Sequence, residues 1–203
     1  MKLSVCAVIA LSVVPLLSPL ALADVATILP TCNACHGPDG ISQLPEVPTI
    51  AGMSALSLEV ALDEYRAGDR VCPTVPYPSA DPSRPRMDMC VHANGLAEEN
   101  IAGVAEHYAA LPFVPAVQQT DAAKAAEGKA IHDRDCEICH SQGGSNPADD
   151  ASLLAGQHME YLRLTFADYA SGARSQPRAM EAKVAALSPA EIDALIHFYG
   201  SQQ

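Results

Sequence analysis

The stretch Cys32-Asn33-Ala34-Cys35-His36 returns 104 positions later as Cys136-Glu137-Ile138-Cys139-His140. Both copies place two cysteines three residues apart and a histidine directly after the second cysteine. The same offset pairs Gly40 with Gly144, Ala51-Gly52 with Ala155-Gly156, Leu58 with Leu162, Tyr65 with Tyr169, Gly68 with Gly172 and Arg70 with Arg174. So many identities in one register indicate an internal repeat.

Beyond Arg70 the offset falls from 104 to 91, so the first copy carries an insertion of 104 − 91 = 13 residues. The new register pairs Met89 with Met180, Leu96 with Leu187, Ile101 with Ile192 and Tyr108 with Tyr199. Five prolines fall in the insert region, about residues 71–88, and they predict a loop there. We therefore expect two modules, at 24–114 and 115–203, joined near Pro112 and Pro115.

Each module is predicted to be helical. Ser188-Pro189-Ala190-Glu191 has the pattern of a capping box and starts a helix with one apolar face. Further helices are expected over residues 54–67, 96–109, 121–136 and 158–170. Because no alternating strand pattern stands out, the predicted fold class is all-α.

The charge balance limits the partners of the chain. Its 203 residues include 24 acidic and 12 basic side chains, which give a net charge of −12. A nucleic-acid-binding protein needs clustered cations, and so does a protein that docks on anionic membranes. The acidic balance therefore argues against nucleic acid as a partner and disfavours docking on an anionic membrane surface. With 49% hydrophobic and 18% charged residues, the composition is that of a folded globular chain.

Residues 1–23 have the pattern of a secretory signal peptide. Lys2 precedes an apolar run, and Ala21-Leu22-Ala23 provides a site for cleavage after Ala23. An uncleaved membrane anchor is the alternative, but Pro15 and Pro19 favour cleavage, which would leave no stable membrane span. The chain is thus expected in the periplasm, where disulfides persist.

Cys-x-x-Cys-His is the attachment motif of c-type haem. The cysteines Cys32, Cys35, Cys136 and Cys139 would form thioethers to two covalently bound haem c groups, and His36 and His140 would bind the irons. A structural zinc site would need four ligands at suitable spacing, and a thioredoxin-like dithiol would need a βαβ setting. Neither pattern is present, so the motifs predict haem.

The repeat also predicts the sixth ligand of each iron. Met89 and Met180 lie at equivalent positions, and methionine opposite histidine is the ligation of electron-transfer cytochromes. Met87 competes with Met89 in the first module, but the repeat register favours Met89. Met53 and Met159 are expected in the core.

Five histidines have no histidine partner in the other module, which disfavours bis-histidine ligation common to both modules. They are His92, His107, His132, His158 and His197, and we expect surface or partly buried structural roles for them. The matched pairs Tyr65 with Tyr169 and Arg70 with Arg174 have two interpretations. They serve either helix packing and solvated charge, or hydrogen bonding to haem propionates.

Cys72 and Cys90 flank the insert and have no counterpart in the second module. In an oxidising compartment a disulfide that closes this loop is the economical interpretation. Two free thiols, or Cys90 as an iron ligand, are the alternatives. Since Cys90 adjoins Met89, the bridge would also hold the methionine loop near the iron.

With two haem motifs, downstream methionines and helical patterning, the mature chain resembles the dihaem class I cytochromes c. Two relatives compete within that family: cytochrome c4, and the dihaem cytochrome subunit of flavocytochrome c sulfide dehydrogenase. The run Leu154-Ala155-Gly156-Gln157 belongs to both. The segments Pro48-Thr49-Ile50-Ala51-Gly52-Met53 and Phe198-Tyr199-Gly200-Ser201-Gln202-Gln203 favour the second, whereas the insert departs from both.

The resemblance implies two tandem class I cytochrome c domains and an electron-transfer role. As a sulfide dehydrogenase subunit, the chain would form a heterodimer with a flavoprotein and pass electrons from sulfide to a soluble cytochrome or similar acceptor. It would not be catalytic alone, and FAD is expected on the partner because the G-x-G-x-x-G motif is absent here. The alternatives are a free-standing carrier to a terminal oxidase, and a dihaem enzyme such as a peroxidase with one open iron.

Overall fold

A computed structural model describes residues 20–72, 83 and 88–202. Residues 1–19 of the proposed signal peptide (1–23), most of the insert and Met87 lie outside this part of the chain. Within it the backbone forms α-helices and no β-strand, which confirms the all-α prediction. None of the helices in these ranges has the length and apolarity to cross a membrane.

The helices follow each other with the same order in the two modules. In the first module they are α1 (Leu20–His36), α2 (Ala55–Ala67), α3 (Met89–Gly95) and α4 (Glu98–Ala109). In the second they are α5 (Ala122–Asp135), the single turn α6 (Ser141–Gly144), α7 (Met159–Ser171), α8 (Arg178–Ala185) and α9 (Pro189–Gly200). Short 3₁₀ turns occupy Pro38–Gly40 and Pro147–Asp149.

Helix ends fall where the sequence places caps. The Ser54 hydroxyl accepts a hydrogen bond from the amide of Ser57 at 3.0 Å, and α2 stops at Gly68 in the left-handed conformation. Ser188 and Glu191 form the predicted capping box at the start of α9. These contacts satisfy amide groups that a helix end otherwise leaves unpaired.

Helix α1 was not predicted, and neither were two short helices, α3 and α8, which carry Met89 and Met180. The Asp88 carboxylate caps α3 by accepting from the amide of Val91 at 3.0 Å. Proline precedes α8 at position 177, where its fixed φ suits a helix start. Both helices are too short for a hydrophobic period to reveal them.

The repeat in sequence is also a repeat in hydrogen bonding. The carbonyl of Gly40 accepts from the amides of Ile50 and Ala51, and the carbonyl of Gly144 accepts from those of Leu154 and Ala155. Gly40 and Gly144 have φ of +74° and +82°, a region that favours glycine. A Cβ at Gly40 would also lie 2.7 Å from the ring of Tyr108.

The two modules share a buried contact. Gln157, which is 1% exposed, accepts from the Thr49 amide at 3.0 Å and donates to the Thr49 carbonyl at 2.7 Å. Leu153 of the second module packs in the core of the first, beside Met53 and Tyr108. As predicted, Met53 and Met159 are buried in the two cores.

Candidate haem sites

The first Cys-x-x-Cys-His motif forms the end of α1. His36 is 7% exposed, and its Nδ1 lies 2.9 Å from the carbonyl oxygen of Pro48. A carbonyl oxygen only accepts, so Nδ1 carries the proton and Nε2 keeps a free lone pair. Burial lowers the pKa of His36, which favours the neutral imidazole that a metal needs.

One cavity of about 510 Å³ joins the predicted residues of this site. Cys32, Cys35, His36 and Met89 all line it. Most of the remaining wall is apolar, including Leu58, Leu62, Leu96 and Val104. Two thiols, a fixed imidazole and a thioether around one apolar space fit a c-type haem.

Tyr108 closes this site from α4. The side chain is 1% exposed, and its hydroxyl donates to Asn33 Oδ1 at 2.8 Å. Burial raises the pKa of Tyr108, with a further effect from the neighbouring Cys32 thiol. The sequence pattern assigned Tyr108 to an apolar stripe, but it did not show that the hydroxyl reaches the haem motif.

The second motif follows α5 as a series of turns. The amides of Cys139 and His140 donate to the Cys136 carbonyl at 3.1 Å and 2.9 Å. His140 is half-buried. Burial lowers its pKa most, and the nearby His132 lowers it further. The backbone of Ser152, which is equivalent to Pro48 in the repeat, raises the pKa, although Nδ1 of His140 forms no hydrogen bond of ordinary geometry.

Met180 lies half-buried in the first turn of α8. Its amide donates to the Pro177 carbonyl at 2.9 Å. The structure therefore gives the two methionines matching places at the start of matching helices.

A buried polar chain distinguishes the second module. His132 is fully buried, with Nδ1 3.0 Å from the Tyr199 hydroxyl and Nε2 2.6 Å from Glu137 Oε2. The bond to His132 lowers the pKa of Glu137, so the carboxylate accepts from Nε2. Nδ1 of a neutral imidazole then accepts from the Tyr199 hydroxyl. The predicted surface or partly buried role of His132 was therefore wrong. A signal existed, because its repeat counterpart is the apolar Ile28.

Arg70 and Arg174 meet at the boundary between the modules, and each is 8% exposed. Their guanidinium groups lie 4.9 Å and 4.8 Å from the ring centres of Tyr65 and Tyr169. Glu64 Oε2 is 3.1 Å from Arg70 Nε and 3.5 Å from Arg174 Nη2. Both buried Nε atoms nevertheless lack an aligned hydrogen-bond acceptor. Such donors suit a further carboxylate.

Cys72 and Cys90 form a disulfide, with their Cα atoms 5.8 Å apart. This agrees with the predicted pairing and leaves Cys90 unavailable as an iron ligand. The bridge fastens the end of the insert beside Met89, in the first turn of α3.

Comparison with known proteins places these features in a family. The protein-family model described as cytochrome c oxidase, cbb3-type, subunit III matches residues 123–198 of this chain. Cytochrome c-554(548) of Halomonas halodenitrificans is 36% identical over 78 residues, which are 38% of this chain and 81% of that protein. Cytochrome c4 of Azotobacter vinelandii is 28% identical, over 71% of this chain and 70% of its own.

Two further relatives cover more of the chain. The crystal structure of reduced cytochrome c4 from Pseudomonas stutzeri superposes with a TM-score of 0.70 at 26% identity, covering 90% of this chain and 98% of that one. A thiosulfate dehydrogenase electron acceptor of Stutzerimonas stutzeri is 26% identical, over 84% of this chain and 78% of its own. Similar proteins thus match most of the length of this two-module helical chain. The chain belongs to the class I cytochrome c family, in its dihaem, cytochrome c4-like branch.

Proposed function

We propose that this cytochrome is a periplasmic carrier that takes single electrons from a dehydrogenase and delivers them to a soluble cytochrome or similar acceptor. One observation carries the proposal. Cys32, Cys35, His36 and Met89 surround a single cavity, and the Pro48 carbonyl fixes the imidazole of His36. The domains would span 24–114 and 115–203 after removal of residues 1–23.

Each module would hold one haem c, which supplies reversible one-electron chemistry at its iron. Cys32 and Cys35 in the first module, and Cys136 and Cys139 in the second, would attach it covalently. His36 and Met89 would bind the iron of the first module, and His140 and Met180 would bind that of the second. With methionine as a ligand, neither site would offer an open coordination place for a substrate.

Arg70 and Arg174 would bind haem propionates. Both guanidinium groups are buried, and their Nε atoms have no aligned hydrogen-bond acceptor. Arg70 also lines the first cavity. Because both arginines lie at the module boundary beside Glu64, they would hold propionates of the two haems there. This arrangement supports electron exchange between the modules.

The acidic surface would select the acceptor. A net charge of −12 favours an electron acceptor with a basic docking patch, and such attraction speeds association more than it tightens the complex. The rate of electron delivery should therefore fall as ionic strength rises.

A second candidate is the cytochrome subunit of a sulfide-oxidising flavoprotein, with FAD on the partner chain. The segments quoted above that resemble this subunit support it. The relative named as a thiosulfate dehydrogenase electron acceptor also links similar chains to the oxidation of sulfur compounds.

Gentle purification from the periplasmic fraction separates the two candidates. Sulfide and thiosulfate are added anaerobically in separate samples while the visible spectrum is recorded, with a donor-free sample as control. The carrier proposal predicts a chain that runs alone, contains no flavin and is reduced by sulfide only slowly. Co-purification with a flavin-bearing chain and rapid reduction of both haems by sulfide would establish the second candidate instead.

A further inference from the structure

The geometry points to His92 as a reserve ligand for the iron of the first module, one helical turn from Met89. This inference rests on the proposed function, because it concerns a haem bound by Cys32, Cys35 and His36. It adds a residue for which the repeat pattern had favoured a surface or partly buried structural role.

Met89 and His92 share one short helix and one cavity. They are three residues apart in α3, a spacing that places two side chains on the same helix face. Both line the cavity that contains Cys32, Cys35 and His36. At a rise of about 1.5 Å per residue, the two positions differ by only about 4.5 Å along the helix axis.

His92 is half-buried and lines the same cavity as His36, so its ring is not simply a surface group. Helix α3 therefore presents a thioether and an imidazole to one space.

Ligand exchange needs no other reactant. The coordination bond from the Met89 sulfur would break, and a ring nitrogen of His92 would supply the lone pair for the new bond to iron. No electron is transferred, and the site remains six-coordinate. Displacement of Met89 would otherwise leave this position open.

The second module lacks such a residue. In the register that pairs Met89 with Met180, His92 pairs with Lys183. The Lys183 side chain is 53% exposed, and its Nζ lies 2.9 Å from Asp135 Oδ1. The two irons should therefore respond differently when methionine is removed.

Three variants of the full chain test the inference by low-temperature electron paramagnetic resonance and visible spectroscopy. Met89→Ala should lose one methionine-to-iron charge-transfer band and keep a low-spin, bis-histidine first site. Met89→Ala combined with His92→Ala should turn that site high-spin. Met180→Ala is the matched control and should turn the second site high-spin, because Lys183 does not replace the lost ligand.

Added imidazole should restore a low-spin spectrum in the double variant, which shows that its fold is intact. A fully high-spin first site in Met89→Ala, equal to that of the double variant, would overturn the role of His92. If Met89→Ala retained both charge-transfer bands, the ligand assignment itself would fail, and this inference with it. A chain without any haem absorption would instead refute the proposed function.

Discussion

At the scale of single residues, the equivalent tyrosines of the two modules form hydrogen bonds with different partners. Tyr108 donates to Asn33, whereas Tyr199 donates to the fully buried His132. Both hydroxyls approach the first cysteine of their haem motif. The difference follows from two positions of the repeat, because Ile28 and Asn33 of the first module correspond to His132 and Glu137 of the second.

Tyr199→Phe should lower the free energy of unfolding more than Tyr108→Phe. The first change leaves a buried imidazole nitrogen without a partner, which costs about 1–3 kcal/mol. The second leaves Asn33, which is half-buried and regains a hydrogen bond from water, so the cost is about 1 kcal/mol. Urea unfolding of the haem-loaded proteins measures both values, and an equal or larger loss for Tyr108→Phe would contradict the assignment.

At this scale the sequence predicted residue types better than their contacts. The spacing of residues within the repeat predicted the haem motifs and the two methionines, and the position of Cys72 and Cys90 around the insert predicted their pairing. The hydrogen bond from His36 to Pro48 and the cavity position of His92 were not, since they depend on how the loop after α1 and helix α3 fold back.

At the scale of helices, each module is fastened by a close crossing of its first and last helices. Gly128 of α5 lies against α9, where a Cβ would meet the Ala194 carbonyl oxygen at 2.1 Å. In the first module the glycine is on the other helix, because Gly103 of α4 faces Val25 of α1. Helices α4, α5 and α9 were predicted but α1 was not, and pattern alone did not show which residues meet at these crossings.

Gly128→Ala should destabilise the second module, and Gly103→Ala is its matched control. The new methyl group at position 128 collides with backbone, and overpacking of this kind costs about 1–3 kcal/mol. At position 103 it meets only the end of the Val25 side chain at 2.7 Å, which can rotate. There the higher helix propensity of alanine, about 1 kcal/mol, offsets the contact. Thermal unfolding measures both, and equal melting temperatures would refute the backbone collision.

At the scale of the whole molecule, buried contacts join the modules into one unit. The side chain of Gln157 pairs with both backbone groups of Thr49, and the Tyr161 amide donates to the Pro45 carbonyl at 2.9 Å. Self-similarity in the sequence predicted two modules, but Gln157 has Met53 as its counterpart, so the repeat concealed its role at the boundary.

Gln157→Leu should uncouple the modules. It leaves the amide and carbonyl of Thr49 buried without partners, at about 1–3 kcal/mol for each group. Calorimetry of the wild-type protein should show one transition, and the variant should show two. The exposed Gln119→Leu is the control and should behave like wild type. A single unshifted transition in Gln157→Leu would mean that this contact does not couple the modules.

Acid should loosen the second module before the first. Among the described residues, the carboxyls whose pKa is lowered all lie in the second module: Asp121, Asp135, Glu137, Glu191 and Asp193. Their contribution to stability is present above the ordinary values of 3.8 and 4.5 and is lost as the pH falls through the lowered folded values. Burial raises the pKa of Glu64 and Asp168 at the boundary, so these two act in the opposite direction.

Hydrogen exchange at about pH 6 and about pH 3 measures this difference, because exchange reports local opening of each helix. Helices α5 and α9 should lose protection at the lower pH before α4 does. Earlier loss of protection in α4 would contradict the sign of these shifts.

The intact mass of the denatured, purified protein counts the haem groups that are covalently attached to it. We expect the mass of residues 24–203 plus two haem groups. The Cys32→Ser and Cys35→Ser double variant should carry one haem fewer, and so should the matching change at Cys136 and Cys139. A wild-type mass that includes one haem or none would contradict the assignment of two haem-bearing modules.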